Sequence, residues 1–184
     1  EAMLAPVPES GEAAEIAMAW HAKSVAAGEL HEFDRRAEFL GRALEPARAA
    51  KGLAQNNLGG YLRIRSELAD TLIQTRGAAE ALDSYLEFAA ELAKGPINGF
   101  VIHAQCQISG LYQHIGDMDR ARKALATAEA AFAQLSARRG RALDLSGWSR
   151  QIEAARGGLL RREGQIDAEE RAYRLLGLVW AGAD

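Results

Sequence analysis

Residues 108–132 read "ISGLYQHIGDMDRARKALATAEAAF", and how this stretch is read decides the fold. Ile108, Leu111, Tyr112 and Ile115 recur at intervals of three and four, the spacing of one helix face. Gly116 then interrupts the pattern. Beyond it Met118, Ala121, Leu125, Ala128, Phe132 and Leu135 form a second row that returns every seven residues, so it is one continuous buried stripe. The stretch is therefore two amphipathic helices joined by a very short turn.

The rest of the chain is built from the same material. Its 184 residues are 48% hydrophobic and 26% charged, which is enough apolar chain to bury a core and enough charge to solvate it. The net charge of −3 provides no overall basic field for nucleic acid or anionic lipid. Only four prolines occur, while alanine, leucine, glutamate and arginine dominate, so the composition favours helix throughout. No apolar run reaches the roughly 18 residues that a membrane span needs. Cys106 is the single cysteine, so no intrachain disulfide forms and the redox compartment is left open. A cytoplasmic setting fits. The chain opens on Glu1 and stops at "VWAGAD", from which we expect a piece of a longer protein.

Breaks in the pattern divide the chain into eight expected helices. A lead-in over 1–11 ends at Ser10, a candidate N-cap for a helix to about residue 27. "GEL" at 28–30 turns the chain, and a second helix runs until Pro46 bends or breaks it. "KGLAQNN" at 51–57 precedes a third helix over about 58–75. "RG" at 76–77 and "KGP" at 94–96 bound a fourth. The fifth and sixth are those of the opening stretch. "ARRGRALDLSG" at 137–147 joins them to a seventh helix ending near 163 and an eighth from about 166 to 180. Sustained period-two alternation is absent, so no strand is expected.

The chain also resembles itself. "AAGELHEF", "TRGAAEAL", "HIGDMDRA" and "REGQIDAE" align at Gly28, Gly77, Gly116 and Gly164, about 49, 39 and 48 residues apart. Within the opening stretch, Ile108, Ser109 and Tyr112, then Gly116, Asp117 and Met118, then Ala121, Leu125 and Ala128 resemble a tetratricopeptide (TPR) repeat. In this reading small Ser109 and Ala121 let the two helices approach closely. The unit around Leu68, Ala69, Ala81 and Tyr85 and the one around Leu160, Gly164, Ile166 and Tyr173 match more loosely. The first matches only at Trp20, Gly28, Leu30 and Leu40. The spacing exceeds the usual 34 residues and is similar to that of longer-period bacterial arrays. The resemblance implies an all-α, TPR-like α-solenoid of about four helical hairpins in a right-handed superhelix, one domain over 12–184. A non-repetitive helical bundle is the alternative.

In TPR arrays the first helix of each pair lines a concave face. The resemblance puts Arg63, Glu67, Asp70 and Gln74 of the third helix there. It adds His103, Gln107 and His114 of the fifth and Gln151, Arg161 and Arg162 of the seventh. Helix geometry independently groups His103, Gln107, Gly110 and His114 on one face. The implied function is a non-catalytic module that binds a protein, a peptide or another domain of the same chain. Similar arrays accompany CHAT protease domains and LuxR-type regulators. The alternative is a sensor that takes a small molecule in the groove. The chaperone-tail clamp of some family members is not carried over, because Met18 and Ala22 occupy the corresponding positions.

Other chemistry is rejected on spacing. His103 and His114 lie about 16 Å apart along one helix, too far for one metal ion, and His103 with Cys106 makes only two ligands. Cys106 sits mid-helix without an orienting third group, so it reads as a small core side chain. Arg63 precedes Glu67 by four residues, the spacing of a helix-surface ion pair. The basic run 137–141 lacks the aromatics that nucleic-acid binding favours. No enzyme, cofactor or metal is expected. On the last helix Tyr173, Leu176 and Trp180 make an apolar stripe, for which we expect a missing next repeat or self-association through Trp180.

Overall fold

Gly116 does what the sequence asks of it. Its φ of 86° puts it in the left-handed region, which glycine enters without strain. The Asp117 amide then donates to the Tyr112 carbonyl at 2.9 Å and the Gly116 amide to that of Gln113 at 3.3 Å, closing the last turn of the helix. Asp117 starts the following helix, its Oδ1 accepting from the Arg120 amide at 3.0 Å. One dipeptide thus ends one helix and caps the next.

The computed structural model describes the backbone of residues 12–51, 55–139 and 145–181, and the side chains of 12–51, 58–137 and 145–168. All regular structure among them is helical. In chain order the elements are α1 (Ala13–Glu29), α2 (Phe33–Ala50), α3 (Gln55–Thr75), α4 (Ala78–Leu92), α5 (Gly99–Ile115), α6 (Met118–Arg139) and α7 (Ser146–Ala181). Their contacts divide the chain into two compact units, Glu1–Lys94 and Gly95–Asp184.

Several expected breaks are corrected. Gly28 does not turn the chain; it lies within α1, and His31, with φ of 58°, takes the left-handed position. The Glu32 amide donates to Ala27 and the His31 amide to Gly28, the same pattern as at Gly116. Histidine is one of the few side chains that enters this region with some frequency. Gly28 instead makes room: a Cβ there would meet Arg36 Nη1 at 3.0 Å. Pro46 neither breaks nor ends α2. It removes one donor, and the buried Ala43, Ala47 and Ala50 hold the helix across it. The third helix starts at Gln55, earlier than expected. The largest correction concerns Gly164, which lies inside the continuous α7 rather than at a turn. The described residues therefore contain three hairpins and one long helix where four hairpins were expected. Ser10, the expected cap of α1, and the joint over 140–144 lie outside the described residues; Glu12 precedes α1 without a side-chain capping bond.

In unit 1, α1 and α2 meet through Trp20 and Phe39, ring centroids 5.7 Å apart, with Leu40 and Ala43 fully buried beside them. Lys51 at the end of α2 lies over the Tyr61 ring of α3 at 4.6 Å. Tyr61 near the start of α3 donates to Glu91 near the end of α4 at 2.6 Å. Arg65, itself buried, donates to Ser84 Oγ at 2.9 Å and to Glu87 at 3.0 Å. Tyr85 donates its hydroxyl to Asp70; burial and the neighbouring carboxylate raise its pKa and keep the proton on it. These pairings run in opposite directions along neighbouring helices, so each of α2, α3 and α4 is antiparallel to its predecessor. It follows that α1 and α3 are parallel.

Unit 2 repeats this logic around Ser109 and Ala121, both fully buried. Ser109 Oγ donates to the Ala121 carbonyl at 2.9 Å, so α5 and α6 nearly touch at their backbones. The long α7 then lies along both. It is parallel to α5: Gly99 faces Trp148, His103 faces Gln151, and Gln113 reaches the Ala155 carbonyl at 3.3 Å. It is antiparallel to α6: Arg156 pairs with Glu129 at 2.6 Å and Arg122 with Glu163 at 2.7 Å. In each unit an antiparallel helix is thus followed by one parallel to the first: α5 and α7 pack directly, whereas α1 and α3 meet through the His21–Glu67 contact.

Glycine substitutions test this backbone. Gly41 is exposed on α2 with open space around it, so Gly41→Ala should stabilise by about 0.5–1 kcal/mol. Gly116→Ala should cost about 1–2 kcal/mol, because alanine pays for the left-handed conformation. Chemical denaturation of the two variants beside wild type reads both signs.

Candidate functional site

The ten residues expected in the groove fall four in unit 1 and six in unit 2, and the two groups differ in state. In unit 1 most are engaged. The side chain of Glu67 is only 19% exposed and receives three donors: Arg63 Nε at 2.9 Å, His21 Nε2 at 3.1 Å and Arg36 Nη2 at 3.4 Å. A carboxylate accepts only, so the proton of the contact lies on His21 Nε2. The Arg63–Glu67 pair is the helix-surface ion pair that its spacing predicts. Asp70 takes the Tyr85 hydroxyl. Gln74 is exposed near the end of α3.

Burial alone would raise the Glu67 pKa. Hydrogen bonds from His21 and Arg63 override it and hold the group at about 2. A carboxylate so depressed adds stability above its unfolded value of about 4.5, and that stability is lost as pH falls toward 2. Glu67→Gln should therefore be less stable than wild type at neutral pH, with the gap closing between pH 4.5 and 2. Urea melts across that window read the convergence; a gap independent of pH would contradict it.

In unit 2 three of the six expected residues border open space. His103 Nδ1 and Gln151 Oε1 lie 3.3 Å apart across the α5–α7 seam. Gln107 is half-buried on α5. Further along the same seam a cleft of about 550 Å³ opens, lined by Gly110, Gln113 and His114 of α5 and by Gly158, Arg161, Arg162 and Gln165 of α7. His114, Arg161 and Gln165 are exposed and Arg162 is half-buried. Three of the expected site residues, His114, Arg161 and Arg162, thus come together in one place.

The floor of this cleft escaped sequence reasoning. Gln113 is buried, and its Nε2 donates to Ser109 Oγ at 3.2 Å and to the Ala155 carbonyl at 3.3 Å. It therefore ties the cleft to the Ser109–Ala121 contact. Gly158 lets it sit there, since a Cβ at 158 would come within 2.8 Å of Gln113 Oε1. The available signal was spacing: Gln113 follows Ser109 by four residues, so it shares the core face of α5. Glycines 110 and 158 leave the two helices bare of side chains where the cleft opens.

Burial, with Glu129 adding to it, pushes the Cys106 thiol up to about 11, so the group stays a neutral core side chain. Among the described residues no group of three histidine, cysteine, aspartate or glutamate side chains is placed to hold a metal ion. No helix among them is long and apolar enough to cross a membrane. The side chains of Tyr173, Leu176 and Trp180, expected to form a terminal apolar stripe, lie outside the described residues.

No protein-family model matches the sequence, and no curated protein matches it either. Among solved structures the chain is similar to the crystal structure of BtubC (BKLC) from P. vanneervenii, with a TM-score of 0.61 at 19% identity. The match covers 92% of this chain and 68% of that one. At this identity the likeness concerns the fold alone.

Proposed function

We propose that the chain is a non-catalytic interaction module, a TPR-like helical array whose α5–α7 seam receives an extended or helical segment of a protein partner. The observation that carries this reading is the cleft itself. It is open and its rim is formed by polar and cationic side chains over a glycine-lined gap. Small-molecule sites are concave, mostly apolar, and bury most of their ligand. No apolar side chain lines this cleft and it is not enclosed, which favours a peptide or protein segment over the sensor reading. The local helix packing supports the repeat reading: in each unit a hairpin is followed by a helix parallel to its first member, the arrangement from which solenoids propagate. Regulation of a larger protein through such a module is the role that fits, by analogy with the TPR arrays that this chain resembles.

Gly110 allows a clean test. It is exposed on the cleft wall, with open space around the position of a Cβ. Gly110→Trp should fill the cleft without disturbing the core. The full chain and this variant, immobilised side by side, should differ in partner capture by at least tenfold while their thermal melts stay within a few degrees. Equal capture would remove the cleft from the function.

A further inference from the structure

The two units hold similar donors at seams between parallel helices, and only one of these sets is satisfied from within. In unit 1 a histidine and two arginines, His21, Arg63 and Arg36, converge on the carboxylate that α3 presents as Glu67. In unit 2 a histidine and two arginines, His114, Arg161 and Arg162, line the cleft at the α5–α7 seam. Among the described residues no carboxylate pairs with either of these arginines. Arg162 reaches only Gln165 Oε1, on its own helix, at 3.4 Å. This contrasts with Arg120, Arg122 and Arg156 of the same unit, each of which has an acidic partner within 3.4 Å.

Uncommitted guanidinium groups gathered beside an open cleft match a carboxylate in shape as well as charge. Their N–H forks donate to its two oxygens side by side. The buried amide of Gln113 closes the floor, so an entering acid stays near the rim, where Arg161 and Arg162 stand. Unit 1 shows how this protein itself solves the problem: the acid comes from the flank of a helix, as a side chain, rather than from a chain end.

Resting on the reading of the cleft as a partner surface, we infer that its occupant is an acidic segment. One glutamate or aspartate side chain of that segment is received by Arg161, Arg162 and His114, as Glu67 is received in unit 1. The recognised group is the side-chain carboxylate. A free C-terminal carboxylate is the competing source of the same chemistry.

The test uses the full chain and three rhodamine-labelled helical peptides, read by fluorescence anisotropy at low ionic strength. The first alternates glutamate with alanine and carries an amidated C-terminus. The second replaces every glutamate with glutamine. The third is the glutamine peptide with a free C-terminus. The glutamate peptide should bind at least tenfold more tightly than its amidated glutamine twin. R161Q/R162Q should abolish that difference, and the free C-terminus should not restore it. Arg156→Gln removes one positive charge from an arginine already paired with Glu129 and Glu153, and should leave most of the difference in place. Equal binding of the glutamate and glutamine peptides would overturn the inference, as would recovery by the free C-terminus or an equal loss in Arg156→Gln. If G110W blocks partner capture while R161Q/R162Q does not, the cleft remains a partner surface and only the carboxylate assignment falls. If G110W has no effect, the partner surface itself is wrong.

Discussion

Two small side chains set the geometry of unit 2. Ser109 and Ala121 face each other where α5 and α6 cross, and the serine hydroxyl bonds the backbone of the opposite helix. A larger residue at either position would force the helices apart and strand that hydroxyl. The same hydroxyl accepts from Gln113, and Gln113 in turn reaches α7. A single close approach thus fixes the hairpin, the amide that floors the cleft and the third helix that forms its other wall. In unit 1 α3 and α4 are tied instead by polar side chains, Arg65 to Ser84 and Tyr85 to Asp70.

The first hairpin departs from this rule in an informative way. Ser24 is fully buried on α1, but its hydroxyl turns back to the His21 carbonyl of its own helix. One turn further along α1, it is Arg36 of α2 that lies against Gly28. Gly28 makes room for the guanidinium end of that arginine, whose Nη2 reaches Glu67. This explains why the first unit matches the repeat pattern so poorly in sequence. Its contact is built from a long cationic side chain lying over a glycine, and the contact serves to bring α3 alongside α1.

Much of this was legible in the sequence, for local reasons. The hairpin turn at Gly116 and Asp117 was readable because two strong signals coincide, a left-handed glycine and an N-capping aspartate. Gly164 carries only the first of these. It is followed by Gln165, a poor cap, and a glycine alone costs a helix only about 1 kcal/mol relative to alanine, so α7 runs on. His31 was unreadable for the opposite reason: the turn occurs without glycine, three residues after the one that drew attention. Pro46 looked like a breaker because propensity ignores packing, yet buried alanines on both sides of it keep α2 intact. At the cleft, the rim residues His114, Arg161 and Arg162 were legible as a polar helix face. Gln113 and Gly158 were not, because their importance lies in a contact between helices more than forty residues apart in sequence.

The central claim is that the α5–α7 cleft, and not the seam closed by Glu67, is where this protein meets its partner. Amide chemical-shift mapping on the isotope-labelled full chain, titrated with the glutamate–alanine peptide, addresses it directly. The account predicts shifts concentrated at residues 110–114 and 158–165, with the amides around His21 and Glu67 unmoved. Shifts centred on unit 1, or spread evenly over every basic side chain, would contradict it.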